Sequence, residues 1–243
     1  RQEGRRNAPT LLDKADQQGF MWDGAAETLE DQAVMPIANP VEMANEHALA
    51  AASVNEDAGY SARFAELTGR DSVEIGDIAD ALAAYQRTLT RRTRFDRFLA
   101  GDRDTLSDQE LFGLHLFRTK ARCMTCHSGP RFTDGEFHNI GLHYFGRKYE
   151  DLGRYALTDS AEDVGGFLTP SLRHVSRTAP YMHNGLFPSL RGIVNLYDRG
   201  GARPKPRPEF ADDPLFPETS PLLVELGLTP EEKDALVAYL ETL

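Results

Sequence analysis

The chain has 243 residues, is 40% hydrophobic and carries a net charge of −11, with a mean hydropathy of −0.47. It is long enough for one large domain or two small ones, and it holds no apolar run long enough to span a membrane. The acidic balance argues against nucleic acid and anionic lipid as ligands and suits a basic electron-transfer partner.

The first residues, Arg1 to Arg6, are charged and no apolar stretch of a secretory signal follows. From Gly4 to Met43 the chain is irregular, punctuated by Pro9, Pro36 and Pro40, with one short helix expected over 27–34. Helical spacing recurs from Tyr60 to Leu67. It is clearest from Ile75 to Leu89, where Ile75, Ile78, Leu82, Tyr85 and Leu89 share a face. The charged stretch 90–104 ends in a Gly-Asp turn and marks a domain boundary. Ser107 and Glu110 then form a capping box for a helix that runs into "RCMTCHSGP". After that motif regular pattern is lost until Ser189. There "PSLRGIVNLYDRGG" reads as a capped helix stopped by Gly200 and Gly201. "ARPKPRPEF" is a loop, "SPLLVELGL" a candidate short helix, and the chain closes with a helix capped by Thr229 and Glu232 around Pro230. No strand signal is strong, so the fold class is all-α with long loops.

Cys123 and Cys126 are the only cysteines. A C-x-x-C pair can be a redox dithiol, half a zinc site or a haem anchor. A zinc site needs further ligands, and no second pair exists. A redox dithiol of the thioredoxin type needs a strand before it and a helix starting at the first cysteine, whereas here a helix precedes. His127 follows Cys126 directly, which is the arrangement of c-type attachment: two thioethers from the sulfurs and a proximal histidine under the iron.

Several segments together resemble the bacterial dihaem cytochrome c peroxidases and the related MauG-type enzymes. They are "GRRNAPTL", "FMWDG", "EDQAVMPIANPVEM", "ARCMTCHSGPRFTD", "FHNIGL", "GGFLTPSLRHVSRTAPYMHNGLFPSL" and "GIVNLYDRGG", spread in family-like order over residues 4–201. The resemblance implies two tandem cytochrome c-like domains. Residues 1–100 would be the remainder of an incomplete peroxidatic domain, and 101–243 a domain with haem c on Cys123 and Cys126. The first CxxCH, with a second haem, is expected upstream of "GRRNAPT", so the chain is read as a fragment. By the same resemblance Glu42 is the proton-transferring carboxylate, Gln32 orients peroxide or a water, Pro36 walls the pocket, and Trp22 passes an electron between the haems. Tyr197 takes the sixth position of the second haem, as in MauG-type enzymes, with Met182 the alternative. Asn7, Thr178 and Pro180 are the positions matching a calcium site. Among His138, His143, His174 and His183, His183 in "YMHNG" is the most suggestive, and Arg131 is a candidate for a haem propionate. The implied activity is reduction of hydrogen peroxide with electrons relayed through the second haem. The alternatives are peroxide-driven oxidation of residues on a partner protein, and a plain electron carrier. A small cytochrome c, a copper protein or a quinol would supply electrons, in a periplasmic, membrane-tethered or free, homodimeric protein.

Overall fold

The structure is a computed structural model that describes residues 3–15, 17 and 19–243. The chain forms two compact units: one of Arg1–Gly4, Leu11–Met21 and Ala25–Thr90, the other of Arg5–Thr10, Trp22–Gly24 and Arg91–Leu243.

The first unit is built of helices α1 (Leu29–Ala38), α2 (His47–Glu56), α3 (Ala58–Thr68) and α4 (Ile75–Arg87). Thr28 caps α1 in a reciprocal box with Asp31, and Glu74 does the same for α4 with Asp77. Asp57 both ends α2 and caps α3 by accepting the Gly59 and Tyr60 N–H groups. The small core holds Phe20, Ala26, Leu29 and Ala83, with Met21 and Met35 against it. The face of α4 read from the sequence as its core side is only partly so. Leu82 and Tyr85 are 40% and 62% exposed, while Ala79, Ala83, Asp77 and Gln86 are buried. Close approach of α1 to α4 favours the small side chains at the contact and turns the large ones outward.

The second unit holds α5 (Arg94–Leu99), α6 (Asp108–Arg118), α7 (Tyr155–Thr158), α8 (Leu190–Asp198) and α9 (Pro230–Leu240). The sequence boundary was expected near residue 100, yet the division falls after Thr90. Phe95 lies in the core of this unit, and Arg94 grips Glu110 of α6 with two hydrogen bonds of 2.7 and 2.9 Å. Helices α6 and α9 pack very closely at Gly113, where a methyl group would meet the Ala235 carbonyl oxygen at 2.0 Å. Phe95, Phe117, Phe132 and Tyr239 surround that contact edge to face, at centroid spacings of 5.2–6.1 Å. Such pairs add about 0.5–1.5 kcal/mol each beyond the area they bury. "SPLLVELGL" is not helical. Its backbone is committed elsewhere: Ser220 N–H bonds to Asn139 O at 2.8 Å and Leu226 N–H to Asp198 O at 3.0 Å. In the long loop after the cysteine motif lies a two-residue antiparallel ladder, β1 (Phe137–His138) against β2 (Phe167–Leu168). Leu168 N–H also donates to Trp22 O at 2.8 Å, so the ladder anchors the Trp22 segment.

Candidate haem and calcium centres

Helix α6 delivers the chain to the cysteine motif. Thr119 ends it, and Arg122 turns the backbone through a left-handed φ of 54° into a single 3₁₀ turn over Cys123–Thr125. The His127 N–H closes that turn on Cys123 O at 2.9 Å. Burial pushes the Cys123 thiol up to about 12, so it is protonated and not an activated nucleophile. The ring of His127 is held by its Nδ1, which donates to Phe132 O at 2.9 Å. That bond fixes the tautomer and leaves the Nε2 lone pair for a metal. Burial lowers the His127 pKa, which keeps the ring neutral as a ligand must be.

Tyr197, in the last turn of α8, has its phenol pKa raised by burial and further by the charge of Cys123 and Cys126. Two thiols, one oriented imidazole and a buried phenol are a donor set that fits a covalently attached haem, whose iron His127 and Tyr197 would hold. Met182 is half-buried, with φ of 67°. A second grouping, Cys126, Asp134 and His138, brings three donor atoms within 4.8 Å of one another. His138 is raised to about 9, first by Cys126 and then by Asp134, whose carboxylate is 2.9 Å away, against the effect of burial. As a thioether Cys126 would no longer offer this group a thiolate.

The three residues matched to calcium lie close in the fold. The Asn7 side-chain amide donates to Pro180 O at 2.7 Å, and Thr178 sits two residues earlier, its hydroxyl donating to Val175 O at 3.1 Å. The Asn7 backbone links two further positions: its N–H donates to His183 O at 2.6 Å and its carbonyl accepts Trp22 Nε1–H at 2.8 Å. A carbonyl accepts that bond and takes no proton, so Trp22 keeps its own. His183 packs on Phe167 with parallel rings 3.7 Å apart and presents an edge to Trp22 at 6.3 Å.

Glu42, Gln32 and Pro36 belong to the first unit. Gln32 and Pro36 are one turn apart on α1, and Gln32 Oε1 accepts a 3.2 Å hydrogen bond from buried Gln86. Glu42 is exposed in the turn after α1, where its N–H bonds to Asn39 O at 3.0 Å and the next N–H returns to Pro36 O.

Sequence reasoning missed the ion triad at the Trp22 segment. Arg6 makes a two-pronged pair with Asp151 at 2.7 and 2.8 Å and a further bond to Asp23, the neighbour of Trp22. The "GRRN" and "WDG" motifs contain two of its members, but Asp151 is far along the chain and nothing local marks it. His143 and His183 are 1% and 2% exposed. Burial lowers both to about 4, with Arg147 adding to the effect at His143 and Asp151 opposing it at His183. Unfolded imidazoles gain protons below about pH 6.5, whereas the folded ones stay neutral until about pH 4. Their contribution is therefore complete above pH ~6.5 and is lost as pH falls toward 4, by about 3 kcal/mol for each group. Urea unfolding at roughly pH 7 and pH 4.5 checks this, and a His183→Phe variant should flatten the slope. Equal midpoints at the two pH values would contradict it.

Residues 1–104 match the family described as di-haem cytochrome c peroxidase. The chain is 40% identical over 197 residues to the methylamine utilization protein MauG of Methylophilus methylotrophus, covering 79% of this chain and 57% of that protein. It is 31% identical to the cytochrome-c peroxidase IdrP1 of Pseudomonas sp. (strain SCT), covering 98% and 68%. Among solved structures, a MauG-like protein associated with microbial copper homeostasis superposes with a TM-score of 0.85 at 30% identity, covering 98% of this chain and 75% of that one. The diheme peroxidase BthA from Burkholderia thailandensis E264 gives 0.78 at 25% identity, covering 99% and 72%. The chain spans 57% of the length of the first of these relatives and 68% of the second.

Proposed function

The chain belongs to the di-haem cytochrome c peroxidase and MauG family, and from that membership we propose that the protein it represents reduces hydrogen peroxide, with electrons relayed through a haem on Cys123 and Cys126. The observation that carries this reading is the motif turn itself: the His127 ring is fixed through Nδ1 on Phe132 O, directly after Cys126 and the 3₁₀ turn that starts at Cys123. The haem bound there supplies one-electron chemistry.

The residues of this chain do the rest. Cys123 and Cys126 attach the group, and His127 and Tyr197 hold its iron. Glu42 carries a proton between the two oxygens of peroxide, Gln32 orients the peroxide or a water, and Pro36 bounds the pocket. Trp22 passes the electron between the two haem sites, and its N–H bond to Asn7 O lets it do so without releasing a proton. Asn7 Oδ1, with the carbonyls of Thr178 and Pro180, would give calcium the hard oxygen donors it prefers once the Asn7 amide turns out of its N–H bond to Pro180 O. In this reading the first unit belongs to a peroxidatic domain with a haem of its own, and the second unit, which carries Cys123 and Cys126, is the electron-relaying domain. Oxidised haem chemistry and thioether attachment suit a periplasmic, homodimeric protein. A small cytochrome c, a copper protein or a quinol serves as donor.

Tyr197 favours a second reading, peroxide-driven oxidation of residues on a partner protein, because a phenolate lowers the potential of the iron it binds where a methionine such as Met182 would raise it.

The test uses the full-length holoprotein with a reduced small cytochrome c and hydrogen peroxide. Glu42→Gln should lower kcat by about 10²- to 10⁴-fold, with both haems retained. A two-haem protein that consumes no peroxide would refute the peroxidase reading, and an unchanged kcat in Glu42→Gln would refute the role of Glu42. Tyrosinate-type bands that vanish in Tyr197→Phe would support the second reading.

A further inference from the structure

Two loops distant in sequence are locked together on the surface of the second unit. They are residues 144–150, "YFGRKYE", and residues 203–210, "RPKPRPEF". Arg147 Nη2 donates to Lys205 O at 3.1 Å, and Arg207 Nη1 donates back to Gly146 O at 2.9 Å. Phe210 seats the second loop. Its ring covers Gly146, where a Cβ would lie 2.2 Å from it, and it meets Phe145 edge-on at 5.5 Å. Arg203 Nη2 ties the start of that loop to Leu223 O at 2.7 Å. Pro204, Pro206 and Pro208 stiffen it, so little chain entropy remains to be lost on binding.

The lock gathers charge. Arg147, Lys148, Arg203, Lys205 and Arg207 are all exposed. Only two carboxylates belong to the same two loops. Glu150 is engaged by the Gly146 N–H, and Glu209 lies 3.4 Å from Arg207. Asp212 and Asp213 follow Phe210 and bound the patch on that side. Amid the cations stands Tyr149, 48% exposed, with Lys148 Nζ 5.1 Å from its ring centre and Tyr144 behind it at 5.8 Å. Arginine and tyrosine are the residues that most often anchor protein interfaces.

The chain as a whole carries −11. A docking protein, however, senses charges within a screening length of about 8 Å at physiological salt, so the local sign decides. We propose that this face is a docking surface for an acidic protein. The net acidity that suits a basic partner therefore does not describe this face. The surface stands on its own charge geometry. That its occupant is a redox partner, giving electrons or being oxidised, rests on the peroxidase reading above.

The experiment measures binding of acidic plastocyanin, basic mitochondrial cytochrome c, and phosphatidylcholine vesicles with and without phosphatidylserine to the full-length holoprotein. The variant is Lys148→Glu with Lys205→Glu, neither of whose ammonium groups makes a hydrogen bond or ion pair among the described residues. Arg63→Glu, on the exposed side of α3, is the control, and circular dichroism confirms that each folds. The expected result is salt-sensitive binding of plastocyanin that the double variant weakens by about tenfold or more, chiefly through the association rate, and that Arg63→Glu leaves unchanged. Plastocyanin binding that is absent, or that the double variant does not alter, overturns the proposal. So does capture of phosphatidylserine vesicles through the same lysines without plastocyanin binding, or preferential binding of cytochrome c there. Peroxide-dependent oxidation of reduced plastocyanin is read separately. Its absence in a protein that still binds plastocyanin through the two lysines overturns the redox assignment alone.

Discussion

In a Cys123→Ala, Cys126→Ala double variant, the haem of the second unit should come away from the denatured chain on acid–acetone extraction, and a His127→Ala variant should keep that haem covalently bound but lose its low-spin spectrum. The two losses differ because the groups do different work. The cysteines make the bonds to the porphyrin edge, whereas the imidazole makes the bond to iron. The turn that presents them is already set in the protein by His127 N–H on Cys123 O and by the Nδ1 bond to Phe132 O. Removing the ring also removes a neutral, oriented donor that the site was folded to supply, and exogenous imidazole should restore part of the low-spin signal. A pyridine haemochrome count on the intact protein gives the reference. Haem that remains covalent in the double alanine variant would remove this motif as the attachment site. An unchanged spectrum in His127→Ala would remove His127 as the ligand.

What could be read beforehand follows from how local each determinant is. The capping boxes at Ser107 and Thr229 lie wholly within four residues, and α6 and α9 begin where those boxes place them. The cysteine motif is equally local. Helix α2 escaped because its sequence, "HALAAASVNE", has no apolar stripe, and none of its residues is buried. Helix α5 escaped for the opposite reason. Its charges look like a linker, but Arg94 is consumed by Glu110 and Asp96 by Arg173, which frees Phe95 for the core. The β1–β2 ladder involves two residues on each side and has no periodicity to show.

The candidate site divides in the same way. Motif likeness drew attention to Asn7, Trp22, Pro180 and His183, and the fold joins them through hydrogen bonds of 2.6–2.8 Å and ring contacts. Likeness gave no hint that Glu110 or Asp151 would serve as counter-ions, because each answers to an arginine elsewhere in the chain. The same holds for the surface formed by residues 144–150 and 203–210. Each loop alone is an ordinary charged turn, and only the exchange of two arginine-to-carbonyl bonds makes them one basic face.

Arg6→Ala should destabilise the second unit by about 3–5 kcal/mol, the usual cost of leaving buried charges without their partner. Arg6 bonds to the Asp23 side chain and grips both Asp151 oxygens. The side chains of Asp23 and Asp151 are just 11% and 13% exposed, so water cannot readily replace the guanidinium. The acid profile should move with it. Burial alone would raise the Asp151 carboxyl, but the Arg6 pair outweighs burial and holds it below the ordinary carboxylate range. Its stabilising contribution is thus present above pH ~4 and is lost as pH falls through the lower folded value. Without Arg6, burial is opposed chiefly by the Gly153 N–H, the Asp151 pKa rises, and acid unfolding begins at higher pH. An Arg6→Met, Asp23→Asn, Asp151→Asn variant removes all three charges and should recover much of the loss, because the cost lies in the desolvated carboxylate charge left without Arg6 rather than in the missing attraction. Thermal and urea unfolding of these two variants beside the parent decide the matter. If Arg6→Ala unfolds within about 0.5 kcal/mol of the parent, the triad is solvated in solution and holds nothing in place. If the neutral triple variant is no more stable than Arg6→Ala, the pairing geometry itself, bidentate on Asp151 and shared with Asp23, is what orders the Trp22 segment.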